Sequence, residues 1–158
     1  MLHDVGKVAI SDNILKKPAR LTEEEYAVMR THTVHGALLF GESVSDWDSM
    51  SAEIALNHHE RWDGKGYPGE IVPDMEIKSL SEAAGKTGAD IPITARIVAL
   101  ADVYDALISK RVYKDAWDED KVLAYIKEEA GKQFDPEVVE AFFEIYPVIS
   151  AIRDKYSD

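Results

Sequence analysis

The chain has 158 residues, with 18 Lys+Arg against 30 Asp+Glu, five His, no Cys and a formal net charge of −12. That length suits one domain with a sizeable buried core, and 46% hydrophobic residues mark a globular chain rather than a disordered one. The missing Cys exclude a disulfide framework, a thiolate metal site, an iron–sulfur cluster and a Cys nucleophile. Acidity spread over both halves, with no basic tail, excludes a broad nucleic-acid footprint, so no nucleic-acid polymer is expected as partner. An anionic ligand would need a local device, either a metal or a few focused cations.

The pattern is helical nearly throughout. Thr22 with Glu25 forms a capping box that opens a segment running to about Phe40, with Tyr26, Met29, Val34, Leu38 and Leu39 on one broad face and Gly41 as its stop. Ser49 or Ser51 is the expected cap of a second helix to about Glu60, with Met50, Ile54 and Ala55 inward. Glycines and prolines from Gly64 to Pro73 make residues 61–73 a structured loop. A short helix is expected over Lys78–Ala84, broken by Gly85 and Gly88. Pro92 suits the first position of a helix to about Ser109, with Ile97, Leu100, Ala101, Tyr104, Leu107 and Ile108 at helical spacing. Asp118 caps a helix to Ala130, with Gly131 just past its end. Asp135-Pro136 opens another, expected to end near Pro147 and to be followed by a last short segment. No alternating strand pattern of useful length occurs. The longest apolar run, Ile97–Ala101, is far too short to span a membrane, and no signal peptide is visible. The expectation is a cytoplasmic protein with no membrane partner.

All five His, namely His3, His32, His35, His58 and His59, fall in the first 59 residues. The His3-Asp4 pair alone carries no weight, because a solvated helix end explains it equally well. Two adjacent imidazoles at His58-His59 are rarer; they repel when protonated unless a cation or carboxylate holds them neutral, and imidazole is a common metal ligand. His32 and His35 share a helical face, and for His35 the surface explanation is preferred. Asp102 and Asp105 lie in an otherwise apolar helix, where a metal or a basic neighbour such as Arg96 or Arg111 would offset their burial. Asp63 to Gly69 is a glycine-rich loop that permits close backbone approach to a ligand, or is simply a turn. Lys110 to Lys114 is the densest basic spot, read either as a solvated helix end or as a phosphate clamp.

Taken in order, His3-Asp-Val-Gly-Lys7, His32, His58-His-Glu-Arg-Trp-Asp-Gly-Lys-Gly-Tyr-Pro68, Ala95-Arg-Ile97, Ala101-Asp-Val-Tyr-Asp-Ala106, Arg111-Val-Tyr-Lys114 and Phe134-Asp-Pro136 resemble the HD-GYP family of HD-domain phosphohydrolases over almost the whole chain. The resemblance implies a single all-α domain over residues 1–158, an HD-domain-like helical bundle. It implies metal-dependent hydrolysis of the phosphodiester bonds of cyclic di-GMP to pGpG or GMP. It implies two or more divalent ions, Fe or Mn first, with Mg, Ni or Zn as alternatives. By the same resemblance His3, Asp4, His32, His58, His59 and Asp102 match metal ligands, with Asp4 as a bridge and catalytic together with Lys7. Lys7, Arg111 and Lys114 match phosphate contacts, and Gly66, Tyr67 and Pro68 form the loop beside the substrate.

Two departures qualify this. The family has helices upstream of the His-Asp motif that supply further ligands, whereas only Met1 and Leu2 precede His3 here. Partial metal occupancy, impaired activity and exposed apolar surface are expected, that surface favouring an upstream sensor or receiver domain, a partner chain or a homo-oligomer. Residues 71–90 also form an insertion after the Gly-Tyr-Pro loop. The alternatives are a catalytically weak or inactive signalling and binding module, and a phosphohydrolase acting on another nucleotide.

Overall fold

The computed structural model describes residues 2–41, 45–70, 84–109 and 116–156. Every element among them is helical, with two isolated β-bridges, Asp63 to Thr87 and Ala130 to Phe134, so the fold is all-α. None of these helices is long and apolar enough to cross a membrane. The chain divides into two compact units, Met1–Ala99 and Leu100–Asp158.

The first unit opens with a 3-10 helix, Leu2–Ala9, followed by α1 (Asp12–Leu15), α2 (Glu23–Arg30), α3 (His32–Leu38) and α4 (Asp46–Asn57). The capping box expected at Thr22 is present: its hydroxyl accepts from the Glu25 N–H at 3.3 Å, and the Glu25 carboxylate accepts from the Thr22 N–H at 2.8 Å. The single helix expected from there to Phe40 is instead two, broken at Thr31. The cause is local. Thr31 Oγ1 donates to the Val28 carbonyl at 2.7 Å, Thr33 Oγ1 donates to the Arg30 carbonyl at 3.0 Å, and His32 Nδ1 lies 2.7 Å from the Met29 carbonyl. Three consecutive side chains thus compete for the carbonyls of the preceding turn. The chain changes direction, and Tyr26, Leu38 and Leu39, expected to face inward, are exposed.

Helix α4 is capped by Ser45 rather than Ser49 or Ser51; its hydroxyl accepts from the Asp48 N–H at 3.2 Å. The helix ends at Asn57, which makes His58 its C-terminal cap, and Met50 is exposed while Ala55 is fully buried. Of the helix expected over Lys78–Ala84, all but Ala84 lies outside the described residues, and Gly88–Asp90 forms a short 3-10 turn. Helix α5 runs Ile93–Ile108.

The second unit contains the later turns of α5, then α6 (Glu119–Glu128) and α7 (Pro136–Tyr156). Its core is Leu100, Tyr104, Leu107, Val122, Ile126, Phe134, Val139 and Phe142. Ala101, expected at an inward position, is exposed, as is Ile97 in the first unit. Asp118 caps α6 by accepting from the Asp120 N–H at 3.0 Å, and Gly131 turns the chain with φ 76°. Helix α7 does not stop near Pro147 but passes through it, since a proline φ is itself helical and only one N–H is lost.

Candidate metal centre

The site begins with a close approach that only glycine allows. A Cβ on Gly6 would stand 1.9 Å from the His32 carbonyl oxygen and 2.4 Å from the Gly36 nitrogen. The N-terminal 3-10 helix therefore lies directly on α3, and Asp4, two residues before Gly6, is brought beside His32. A Cβ on Gly36 would in turn meet the Ala55 side chain at 3.2 Å, which seats α3 against α4 and brings in its C-terminal pair, His58 and His59.

Asp4, His32, His58 and His59 each offer one ligand atom, and these four atoms lie within 4.8 Å of one another. Asp4 Oδ1 is 3.4 Å from His32 Nε2 and 3.7 Å from His58 Nε2, and the two Nε2 atoms are 3.5 Å apart. The other ring nitrogens are already committed. His32 Nδ1 faces the Met29 carbonyl, and His58 Nδ1 faces the carbonyls of Ile54 and Ala55 at 3.2 and 3.0 Å. A carbonyl only accepts, so both Nδ1 atoms carry the proton and both Nε2 lone pairs point inward. Burial, followed by the neighbouring imidazoles, pushes His59 down to about 2, and burial likewise lowers His32. Neutral imidazoles are the ligand form. Burial opposes ionisation of Asp4, yet the adjacent His58 and Lys7 side chains, with the Lys7 charge, outweigh it and hold the carboxyl well below its ordinary range.

Asp4 Oδ1 is buried and has no hydrogen-bond partner among the described residues. An anionic oxygen of this kind beside two inward lone pairs is costly unless a cation meets all three. The donor set thus fits a divalent metal of the N/O-liganded type.

His3 is buried, its Nε2 3.6 Å from Asp4 Oδ2 and its ring edge-on to His58 at 4.9 Å, outside the tight set of four. Lys7 Nζ sits 2.5 Å from Asp4 Oδ2. His35 is half-buried and does not join the cluster. Asp102 is half-buried on α5 and belongs to the second unit. Arg111 and Lys114 lie outside the described residues. Gly66 packs on the backbone of the His-His-Glu segment, where a Cβ would stand 2.4 Å from Arg61 N and 2.6 Å from the His59 carbonyl oxygen. The Tyr67 N–H donates to that same carbonyl at 3.2 Å, and the Tyr67 ring stacks on His59 at 4.8 Å. Pro68 is fully buried.

Two features escaped sequence reasoning. Glu60 is buried, and its carboxylate accepts from the Gly69 N–H at 2.6 Å and the Lys86 N–H at 3.0 Å. One side chain therefore ties Gly69, just before the insertion, and Lys86, within it, to the end of α4. Its position in His58-His-Glu60 was the available signal, but its partners are distant in sequence. Arg30 was also missed: it lies over Tyr26 and Tyr67, at 4.6 and 5.1 Å from the ring centroids.

Residues 1–107 match a family model described as HD domain, and residues 81–138 match a second with the same description. The chain is 46% identical, over 99% of its length, to 30% of a cyclic di-GMP phosphodiesterase of Vibrio cholerae. It is 40% identical, over 99% of its length, to 27% of a 3'3'-cGAMP-specific phosphodiesterase 2 of the same organism. It is 46% identical, over 89% of its length, to 33% of the cyclic di-GMP phosphodiesterase response regulator RpfG of Xanthomonas campestris pv. campestris. The chain thus spans about a third of the length of these curated relatives. The all-helical fold and the clustered His and Asp donors agree with the family matches: the chain belongs to the HD domain family, in its HD-GYP branch.

Proposed function

We propose that this chain is a metal-dependent phosphodiesterase domain that hydrolyses cyclic di-GMP to pGpG or GMP. The observation that carries the reading is the buried, partnerless Asp4 Oδ1 facing the inward Nε2 atoms of His32 and His58, with His59 completing the set. The names of the relatives support the substrate. Asp4, His32, His58 and His59 would hold the metal, Fe or Mn by preference and Mg, Ni or Zn as alternatives, with His3 and Asp102 as further ligands. Bound there, divalent ions neutralise phosphate charge and lower the pKa of water toward about 7.

The chain's own residues prepare that chemistry. The backbone carbonyls of Met29, Ile54 and Ala55 fix the tautomers of His32 and His58. Lys7 holds Asp4 ionised and adds a cation at the edge of the cluster, where an anionic phosphate would arrive. Arg111 and Lys114 are proposed as further phosphate contacts. Tyr67, stacked on His59, walls the site from the side of the Gly-Tyr-Pro loop. In the reaction the oxygen of water bonds to phosphorus, the bond from phosphorus to the ribose 3'-oxygen breaks, and a proton ends on that oxygen. One such cleavage gives pGpG, and a second gives GMP.

The test is incubation of cyclic di-GMP with the Mn(II)- or Fe(II)-loaded chain, with nucleotides separated chromatographically. pGpG or GMP is expected from the wild type and neither from Asp4→Ala. Tight binding without turnover, with metal shown to be loaded, would select a signalling module instead. A second substrate reading has an observation of its own, since one relative of 40% identity is named for 3'3'-cGAMP. Comparable turnover of that dinucleotide would select it. The length of the relatives beyond this match, one of them named a response regulator, supports a partner sensor or receiver domain that governs the site.

A further inference from the structure

Beside the metal centre the first unit holds an arrangement with no evident structural need. The Arg30 guanidinium lies over both the Tyr26 and the Tyr67 ring, and the two rings meet edge to face at 6.4 Å and 77°. Its Nε is buried and has no hydrogen-bond partner among the described residues. Tyr67 is also stacked on His59, at 27° between planes, so one ring touches both the Arg30 cation and a metal-site imidazole. Tyr26 stays 43% exposed while holding that cation. Tyr26 and Arg30, with Leu21, Thr22, Glu23 and Glu24, line an open cleft of about 570 Å³. Glu25, the third acid of this turn, is not in the lining; its carboxylate is occupied by the Thr22 N–H and by Lys17 at 2.5 Å.

Aromatic face, guanidinium and the exposed carboxylates of Glu23 and Glu24 together describe the complement of one nucleobase. Guanine offers O6 and N7 as acceptors, which an arginine fork satisfies with two donors. Its N1–H and exocyclic amino group are donors, which a carboxylate accepts. Adenine has an amino group where guanine has O6 and an acceptor at N1, so it meets both partners wrongly. Its π-face stacks on tyrosine equally well. We propose that Tyr26 and Arg30, with Glu23 and Glu24, form a subsite for a guanine base of the dinucleotide whose phosphate is cleaved at the Asp4 cluster. This rests on the phosphodiesterase reading above, and the subsite adds base selectivity to it.

The experiment compares three substrates on the Mn(II)-loaded chain: cyclic di-GMP, cyclic di-AMP and bis(p-nitrophenyl) phosphate, which carries no base. Tyr26→Leu should lower the ratio of kcat/KM for cyclic di-GMP to that for bis(p-nitrophenyl) phosphate about tenfold, chiefly through KM, in keeping with loss of a base–aromatic stack. Arg30→Lys keeps the charge but loses the planar fork, and should narrow the preference for cyclic di-GMP over cyclic di-AMP about tenfold. Unchanged ratios in both variants, or parallel loss on all three substrates, would overturn the subsite. If the wild type cleaves none of the three, the phosphodiesterase reading fails by itself. Calorimetric binding of cyclic di-GMP then decides the subsite: about tenfold weakening in Tyr26→Leu with an unchanged circular dichroism spectrum supports it. Equal affinity, or no binding by the wild type, overturns it.

Discussion

Asp4 shows how one side chain takes its character from its neighbours. It is held ionised by Lys7 on one oxygen, while its other oxygen is buried without a partner beside two lone pairs. The resemblance carried by the ordered motifs nominated Asp4, His32, His58 and His59 in the sequence, whereas residue types and spacing alone left a solvated helix end as an equal reading of His3-Asp4. Their tautomers were not legible, since those depend on carbonyls that only the folded turns present. Glu60 makes the same point more strongly: its role depends on Gly69 and Lys86, the latter 26 residues away. Glu60→Ala leaves the buried Gly69 N–H and the part-buried Lys86 N–H without their acceptor, a loss of about 1–3 kcal/mol for a fully buried group. A destabilisation of about 2–4 kcal/mol in urea unfolding is expected, and a change below about 0.5 kcal/mol would show that solvent reaches those groups.

At the scale of elements, two small residues determine whether the donors meet. Gly6 lets the 3-10 helix lie on α3, and a methyl group there would overlap backbone rather than a movable side chain. Gly6→Ala should cost about 2 kcal/mol or more, in the manner of overpacked interiors. It should also weaken Mn(II) binding, measured by calorimetry, because Asp4 rides on the displaced segment. The helical class of the chain was legible from apolar spacing, as were the cap at Thr22 and the glycine turn after α6. The break at Thr31 was not, because hydrophobic periodicity does not register hydroxyl and imidazole groups bonding back to the preceding turn. For the same reason Tyr26 read as a core position and proved to be open. Pro147 read as a stop, but α7 continues through it at the loss of one helical hydrogen bond. Restoring that donor with Pro147→Ala should raise stability by about 1 kcal/mol, visible as a Tm a few degrees higher; a lower Tm would mean that the proline ring packs usefully.

At the scale of the whole molecule, the acidity that opened the sequence reading coexists with a proposed anionic substrate because charge is arranged locally. The chain carries a net −12, yet Lys7 and the cation that the donor cluster fits lie in one place. The absence of Cys agrees with an all-N/O donor set. A folded-state metal site also ties stability to metal concentration. At Mn(II) about a hundredfold above its dissociation constant the fold should gain about 2.7 kcal/mol. Scanning calorimetry should show Tm rising with Mn(II) and falling back on addition of EDTA, with the rise absent in His58→Ala. A Tm indifferent to every divalent ion would remove the metal from the account. The most direct measurement of all is the fate of cyclic di-GMP with the Mn(II)-loaded chain, followed by chromatography beside Asp4→Ala. Conversion to pGpG or GMP is expected, stopped by EDTA and absent in Asp4→Ala. Intact cyclic di-GMP after prolonged incubation, with metal demonstrably bound, would contradict it.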